Sequence, residues 1–249
     1  MKFPPQHGAW VFLVLPSLIT AFLGGGTWLG FTFSLTWITA FPFTYFLGRA
    51  LISRWRRGSW TTRGSRELQY ALPWSVITIL GAVVIVGSRP WIIFPGLIVL
   101  ALWAISVYLS WAGRERGLAN DLILVLLAAI SPILMYQVAK DESSLGVIPK
   151  SIWITSMVSL LFFIGSVLHV KALIRESKDP RWHVSSILFH IIALLGLVMI
   201  TGSWALAIPF ALALVRTVFM KPGLRPGRIG IVEAVVAVAL VIGTVVGQS

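Results

Sequence analysis

Gly165-Ser166-Val167-Leu168-His169-Val170-Lys171-Ala172-Leu173-Ile174-Arg175-Glu176-Ser177-Lys178-Asp179-Pro180-Arg181 starts at the end of an apolar run and carries seven ionisable residues. An apolar run that ends in such a cluster reads as a helix leaving a bilayer. At about 3.6 residues per turn, Ser166, His169 and Glu176 share one face, and Lys171, Arg175 and Lys178 share the opposite one. Two uses of this stretch are open. The basic face can anchor a helix end at phospholipid headgroups, or one face can look into a polar cavity and handle a charged ligand.

The rest of the chain has the same character. Of its 249 residues, 57% are hydrophobic and only 11% charged, and the mean hydropathy is +0.91. That composition belongs to polytopic membrane proteins and excludes an ordinary soluble domain. The net charge of +12 does not indicate nucleic acid, because the cations fall in short loops between apolar runs. There is no cysteine, which removes disulfides, thiolate nucleophiles and cysteine metal sites.

Nine apolar runs are long enough to be spans, near 9–24, 28–49, 71–88, 91–111, 120–139, 151–173, 184–201, 203–220 and 230–247. The first lacks a cleavage pattern and reads as a retained span. Trp74, Trp91, Trp111, Trp153, Trp182 and Trp204 fall at run ends, as an aromatic belt requires. Of the 20 Lys and Arg residues, only Arg89, Lys140 and Lys150 fall on the side opposite the N-terminus. The positive-inside rule therefore predicts a cytoplasmic N-terminus and a C-terminus across the membrane.

Two pairs of matches hint at duplication. Arg49-Ala50-Leu51-Ile52-Ser53-Arg54 ends span two, and Lys171-Ala172-Leu173-Ile174-Arg175-Glu176 ends span six. Leu80-Gly81 and Gly87-Ser88 recur as Leu195-Gly196 and Gly202-Ser203. Apolar segments also match by chance. A duplication would make 1–249 one membrane domain of two parallel halves, 1–111 and 112–220, with 230–247 added.

Ionisable residues in or beside the hydrocarbon are costly and face protein or water. Asn120-Asp121 opens span five, either as a helix cap or as a polar cluster with Arg114 and Arg116. His190 lies within span seven, where a neutral ring bonded to a neighbouring helix is the plain expectation. Arg216 and Glu233 flank the short loop between spans eight and nine, so a pair is expected, structural or functional. His7 would sit at the same interface as His169. The chain has no HExxH, no GxSxG and no phosphate loop after a strand. Its four histidines are spread along the chain, so no metal set or cofactor is indicated.

Pro4-Pro5-Gln6-His7-Gly8-Ala9-Trp10 and Gly165 to Glu176, with Arg114-Glu115-Arg116-Gly117 and Asn120-Asp121 between them, resemble the YwiC-like family of bacterial membrane proteins. That resemblance implies kinship and brings no activity with it. A more distant likeness is to the UbiA-type prenyltransferase superfamily, through nine spans, a four-plus-four repeat and polar loops after spans two and six. It implies an all-α, UbiA-like bundle. Those enzymes hold an isoprenyl diphosphate through Mg²⁺ and aspartate-rich motifs in these two loops. Here the first loop has Arg49, Arg54, Arg56 and Arg57 with only Glu67 as an acid, and the second has Glu176 and Asp179. No catalytic aspartate carries over.

Arg and Lys bind phosphate oxygens directly. The expectation is therefore a basic, cytoplasm-facing cavity lined by His169, Lys171, Arg175, Arg49 and Arg114, with His7, Asn120 and Asp121 at its mouth. It would hold an isoprenoid or lipid phosphate from the membrane, and His169 and Glu176 would be the candidate catalytic groups. Two other classes stay open. One is a small-anion transporter using His190, Arg216 and Glu233; the other is a non-catalytic subunit of a membrane complex with an unidentified protein partner.

Overall fold

The computed structural model describes residues 2–4, 7–224 and 226–248, apart from the side chains at positions 7–9, 226 and 228. The binding role expected of His7, and the charges of Arg225 and Arg228, lie outside the described side chains. The described residues form α1 (His7–Thr20), α2 (Trp28–Arg57), α3 (Thr62–Ser88), α4 (Ile93–Trp111) and α5 (Leu118–Lys140). They continue as α6 (Lys150–Val170), α7 (Pro180–Thr201), α8 (Trp204–Phe219) and α9 (Pro226–Val246). No strand occurs among the described residues.

Seven of these helices are long and apolar enough to cross a bilayer, and α1 and α8 are shorter apolar helices. Nine full spans were expected. With 14 and 16 residues, α1 and α8 rise only about 21–24 Å, short of the roughly 30 Å of hydrocarbon. The chain is a multi-pass, all-helical, membrane-type protein.

The helix ends are written locally. The Thr27 and Thr61 side chains accept from the Gly30 and Gly64 amides at the starts of α2 and α3, satisfying donors that have no partner within the helix. Asp179 caps α7, with Pro180 at its first position. Between α1 and α2 the π turn Ala21–Gly25 breaks at Gly24, whose φ of 108° suits glycine.

α2 does not stop where its apolar run stops. It continues through Arg57, and α3 begins at Thr62, so Arg49, Arg54, Arg56, Arg63 and Arg66 lie on helix ends where a loop was expected. Arg, Leu and Ile sustain a helix beyond the hydrocarbon, and α2 and α3 support each other there. Their pairing is the most extensive in the molecule, with Arg49 bound to Glu67 near one end and the Thr78 hydroxyl donating to Thr39 further along.

α5 and α6 are the interior helices, whereas α3, α4 and α7 expose most of their apolar surface. The largest core cluster joins α5 through α9, including Val125, Val158, Phe163, Leu197, Phe210 and Leu240. A second joins α2, α3 and α5 around Phe33 and Met135. α1 packs on α5, α6 and α9 and closes the bundle.

Five of the six belt tryptophans stand close to helix ends. Trp74 does not. It lies twelve residues into α3, is buried, and its indole N–H donates to the Lys2 carbonyl at 3.0 Å. Phe3 meets the same ring edge-on at 5.2 Å. Trp74 therefore fastens the N-terminal segment to α3 and is no interface anchor.

Candidate functional site

Polar groups gather at two places on opposite faces of α6. The first lies where α6 passes into the π turn Lys171–Arg175, a widened turn of the kind frequent at functional sites. Asp121 stands in the first turn of α5, where a carboxylate suits the positive helix terminus. Its carboxylate takes Lys171 Nζ at 3.1 Å and Arg175 Nη1 at 3.0 Å. Both cations also donate to the Arg116 carbonyl, at 2.9 and 3.2 Å. Lys171 is buried, with its Nζ 5.9 Å from the centre of the Trp182 ring.

Asp121 is thus a cluster member and not a cap; the N-cap position of α5 is Gly117. Asn120 works on the loop itself. Its amide donates to the Glu115 carbonyl at 2.8 Å and its oxygen accepts from the Ser106 hydroxyl at 2.6 Å. Arg114 lies exposed on that loop. Arg49 is elsewhere. Its Nε binds Glu67 at 3.0 Å and its Nη1 donates to the Tyr45 hydroxyl at 3.3 Å, so its charge serves the α2–α3 pair and not the α5–α6 mouth. Glu176 ends the π turn, and Lys178 lies exposed beyond it.

The second group is buried between α6, α8 and α9. Ser166 and His169 share the α6 face that meets these helices, as their spacing requires. Arg216 of α8 is buried. Its Nη1 pairs with the Glu233 carboxylate of α9, and its Nη2 donates to the Ser166 hydroxyl at 3.2 Å. The pair expected across the α8–α9 loop is formed. His169 is fully buried, and its Nε2 lies 3.7 Å from Glu233 Oε1. Neither of its ring nitrogens has a hydrogen-bond partner among the described residues. Leaving a buried polar group unpaired costs about 1–3 kcal/mol, a cost the surrounding core has to offset.

His190 shares a hydrogen bond through Nδ1 with the Ser186 carbonyl of its own helix, at 2.7 Å. A bond to a neighbouring helix was expected. Its ring instead abuts Gly165 of α6, where a Cβ would come within 2.8 Å of Nε2. Gly165 admits the close approach of α6 and α7 at that level.

The structure therefore joins Asp121, Lys171 and Arg175 in one cluster and His169, Arg216, Glu233 and Ser166 in another, and it places Arg49 with neither. Among the described residues no three His, Asp or Glu side chains gather as metal ligands would. Sequence reading missed an apolar groove of about 290 Å³ between α4, α5 and α6, lined by Ile98, Leu102, Leu126, Ile130, Ile133 and Leu160. Every residue in it looks like ordinary span sequence. On α6 the partly buried stripe Ser156, Leu160, Ile164 and Val167 runs from this groove to Lys171, at spacings of three and four.

A family model described as "YwiC-like protein" matches residues 3–136, just over half of the chain. An uncharacterised protein of Haemophilus influenzae is 26% identical over 248 residues, covering 95% of this chain and 94% of that one. The uncharacterised protein YwiC of Bacillus subtilis is 27% identical over 207 residues, covering 81% of this chain and 79% of that one. No solved structure matches the chain.

Proposed function

Because the chain belongs to the YwiC-like family, a kinship that brings no activity with it, its function has to be argued from its own charges, and we propose that it binds an amphipathic anion. The headgroup, a phosphate or diphosphate, sits at Lys171 and Arg175, and the isoprenoid or acyl tail runs along α6 into the α4–α5–α6 groove. The observation that carries this reading is the shared face of α6. Leu160 in the groove and Lys171 at the mouth lie on one stripe, eleven residues and about 16 Å apart.

The charges agree. Across the two loops at the mouth, Arg114, Arg116, Lys171, Arg175, Lys178 and Arg181 outnumber Glu115, Asp121, Glu176 and Asp179, so an anion is attracted although Asp121 already orients two of the cations. Arg supplies a bidentate fork and Lys a point charge for phosphate oxygens. The mouth is the cytoplasmic end in this proposal, by the bias of the basic loops. The halves 1–111 and 112–220 are one repeat used twice, distantly UbiA-like in arrangement. Their equivalent basic ends have diverged, one holding Glu67 and the other Asp121. His169 faces away from the proposed headgroup, which leaves the proposal as one of binding, with transfer chemistry unassigned.

Native mass spectrometry of the gently purified protein is expected to show a bound lipid phosphate or isoprenyl phosphate. Lys171→Ala with Arg175→Ala is expected to weaken binding of an added isoprenyl diphosphate about a hundredfold, at roughly 1.4 kcal/mol lost per charge. Unchanged affinity in the double variant would sink the proposal. Transport of a small anion past His190, Arg216 and Glu233 is a second reading, favoured by the burial of the Arg216 guanidinium. It predicts anion flux into proteoliposomes with no lipid retained.

A further inference from the structure

Two contacts fix the register of α6 against α9. At one end the Gln248 amide donates to the Thr155 hydroxyl at 3.3 Å, and at the other His169 Nε2 lies 3.7 Å from Glu233. From Thr155 to His169 is 14 residues, and from Glu233 to Gln248 is 15, so the two segments run antiparallel in step. Ser159 is four residues from Thr155, and Thr244 is four from Gln248. They therefore stand at one level. Both are fully buried, and neither hydroxyl has a hydrogen-bond partner among the described residues.

The facing stripes complete each other. On α6 the residues are Thr155, Ser159, Phe162, Ser166 and His169; on α9 they are Glu233, Ala237, Leu240 and Thr244, with Gln248 just beyond its end. Spacings of three and four keep each set on one helix face. Polar groups thus occur at three depths through the bundle, near Thr155, near Ser159 and near Ser166. The last gap, about 10 Å along the helix, is filled by Phe162, Phe163 and Leu240, all buried in the main core.

We propose that the α6–α9 seam is a gated proton path. Glu233 and His169 are its proton-binding groups, Ser159 and Thr244 with Thr155 and Gln248 are its relay, and Phe162, Phe163 and Leu240 are its gate. Hydroxyls both donate and accept, so Ser159 and Thr244, whose hydroxyls hold no bond among the described residues, can turn and pass a proton without room for a hydrated ion. A small anion would meet the Glu233 carboxylate at the far end. The charged and titratable groups that act on His169 are Glu233 of α9, Arg216 of α8, and His190 and His183 of α7. A proton that crosses the gate is taken by a Glu233 carboxylate oxygen and handed to a His169 ring nitrogen. It leaves at the Lys171 end, and each group returns to its starting state. Arg216 stays charged throughout and keeps Glu233 anchored. The inference stands apart from the amphipathic ligand, which uses the opposite face of α6.

The test uses the full chain in phosphatidylcholine liposomes with an internal pH dye and a potassium–valinomycin potential. Wild type is expected to acidify the lumen faster than protein-free liposomes. Ser159→Ala with Thr244→Val should slow that flux about tenfold, the equivalent of roughly 1.4 kcal/mol on the barrier. Removing two buried hydroxyls that have no partners should leave melting unchanged or raised, so slower flux would not reflect misfolding. Phe163→Ala is expected to speed flux by thinning the gate. Flux equal to protein-free liposomes in both wild type and Phe163→Ala overturns the proposal. So does undiminished flux in the hydroxyl double variant, or a current that leaves the dye unchanged and follows chloride.

Discussion

Glu233→Ala is expected to lower the stability of the purified protein by about 3–5 kcal/mol, because it strands a buried guanidinium. Arg216 is 5% exposed. With Glu233 gone it keeps the Ser166 hydroxyl and the Phe162 ring face, which its guanidinium carbon approaches at 5.7 Å, and loses its counter-charge. The paired replacement Arg216→Met with Glu233→Leu removes both charges and fills similar volume. Such exchanges of buried ion pairs are often neutral or stabilising, so the double variant should melt near or above wild type. Denaturant unfolding in a mild detergent reads both. A loss below about 1 kcal/mol in Glu233→Ala would mean that water reaches the guanidinium and that the pair is not truly desolvated.

The second large effect is steric. Gly165→Leu is expected to cost about 1–3 kcal/mol, the usual range for overpacking a fitted interior. Even a Cβ at this position would meet His190 Nε2 at 2.8 Å, and the ring is tied to the Ser186 carbonyl through its other nitrogen. His190→Ala in the same chain should recover most of that loss. A coupling energy near zero between the two changes would show that α6 and α7 are further apart here than described.

Much of this was legible in the sequence, and the reasons are particular. The angular positions of Ser166, His169, Lys171 and Arg175 on a helix already place two of them opposite the other two. Placing His169 with Lys171 and Arg175 in one basic cavity contradicted that spacing, and the spacing prevailed. The Arg216–Glu233 contact was readable because a short loop leaves two antiparallel helices little choice of partner. Asp121 was recognised as polar but its partners were not, since Lys171 and Arg175 lie 50 and 54 residues away and no local rule reaches that far. Arg49 was misplaced for the converse reason. Its partner Glu67 is on the next helix, and the expected loop between them is helical. The α4–α5–α6 groove left no mark at all, because lipid-facing and groove-facing Ile and Leu are chemically alike.

The link between Trp74 and Lys2 bears on the order in which the chain can assemble as it is made. Lys2 emerges from the ribosome 72 residues before the indole that holds it, so the N-terminal segment has no anchor until α3 has been synthesised. α1 waits longer still, since it packs on α5, α6 and α9. α1 is thus made well before the helices that enclose it, and completion of α9 supplies the last of them. Nascent chains halted before α9 should leave α1 open to crosslinking with lipid, and full-length chains should protect it.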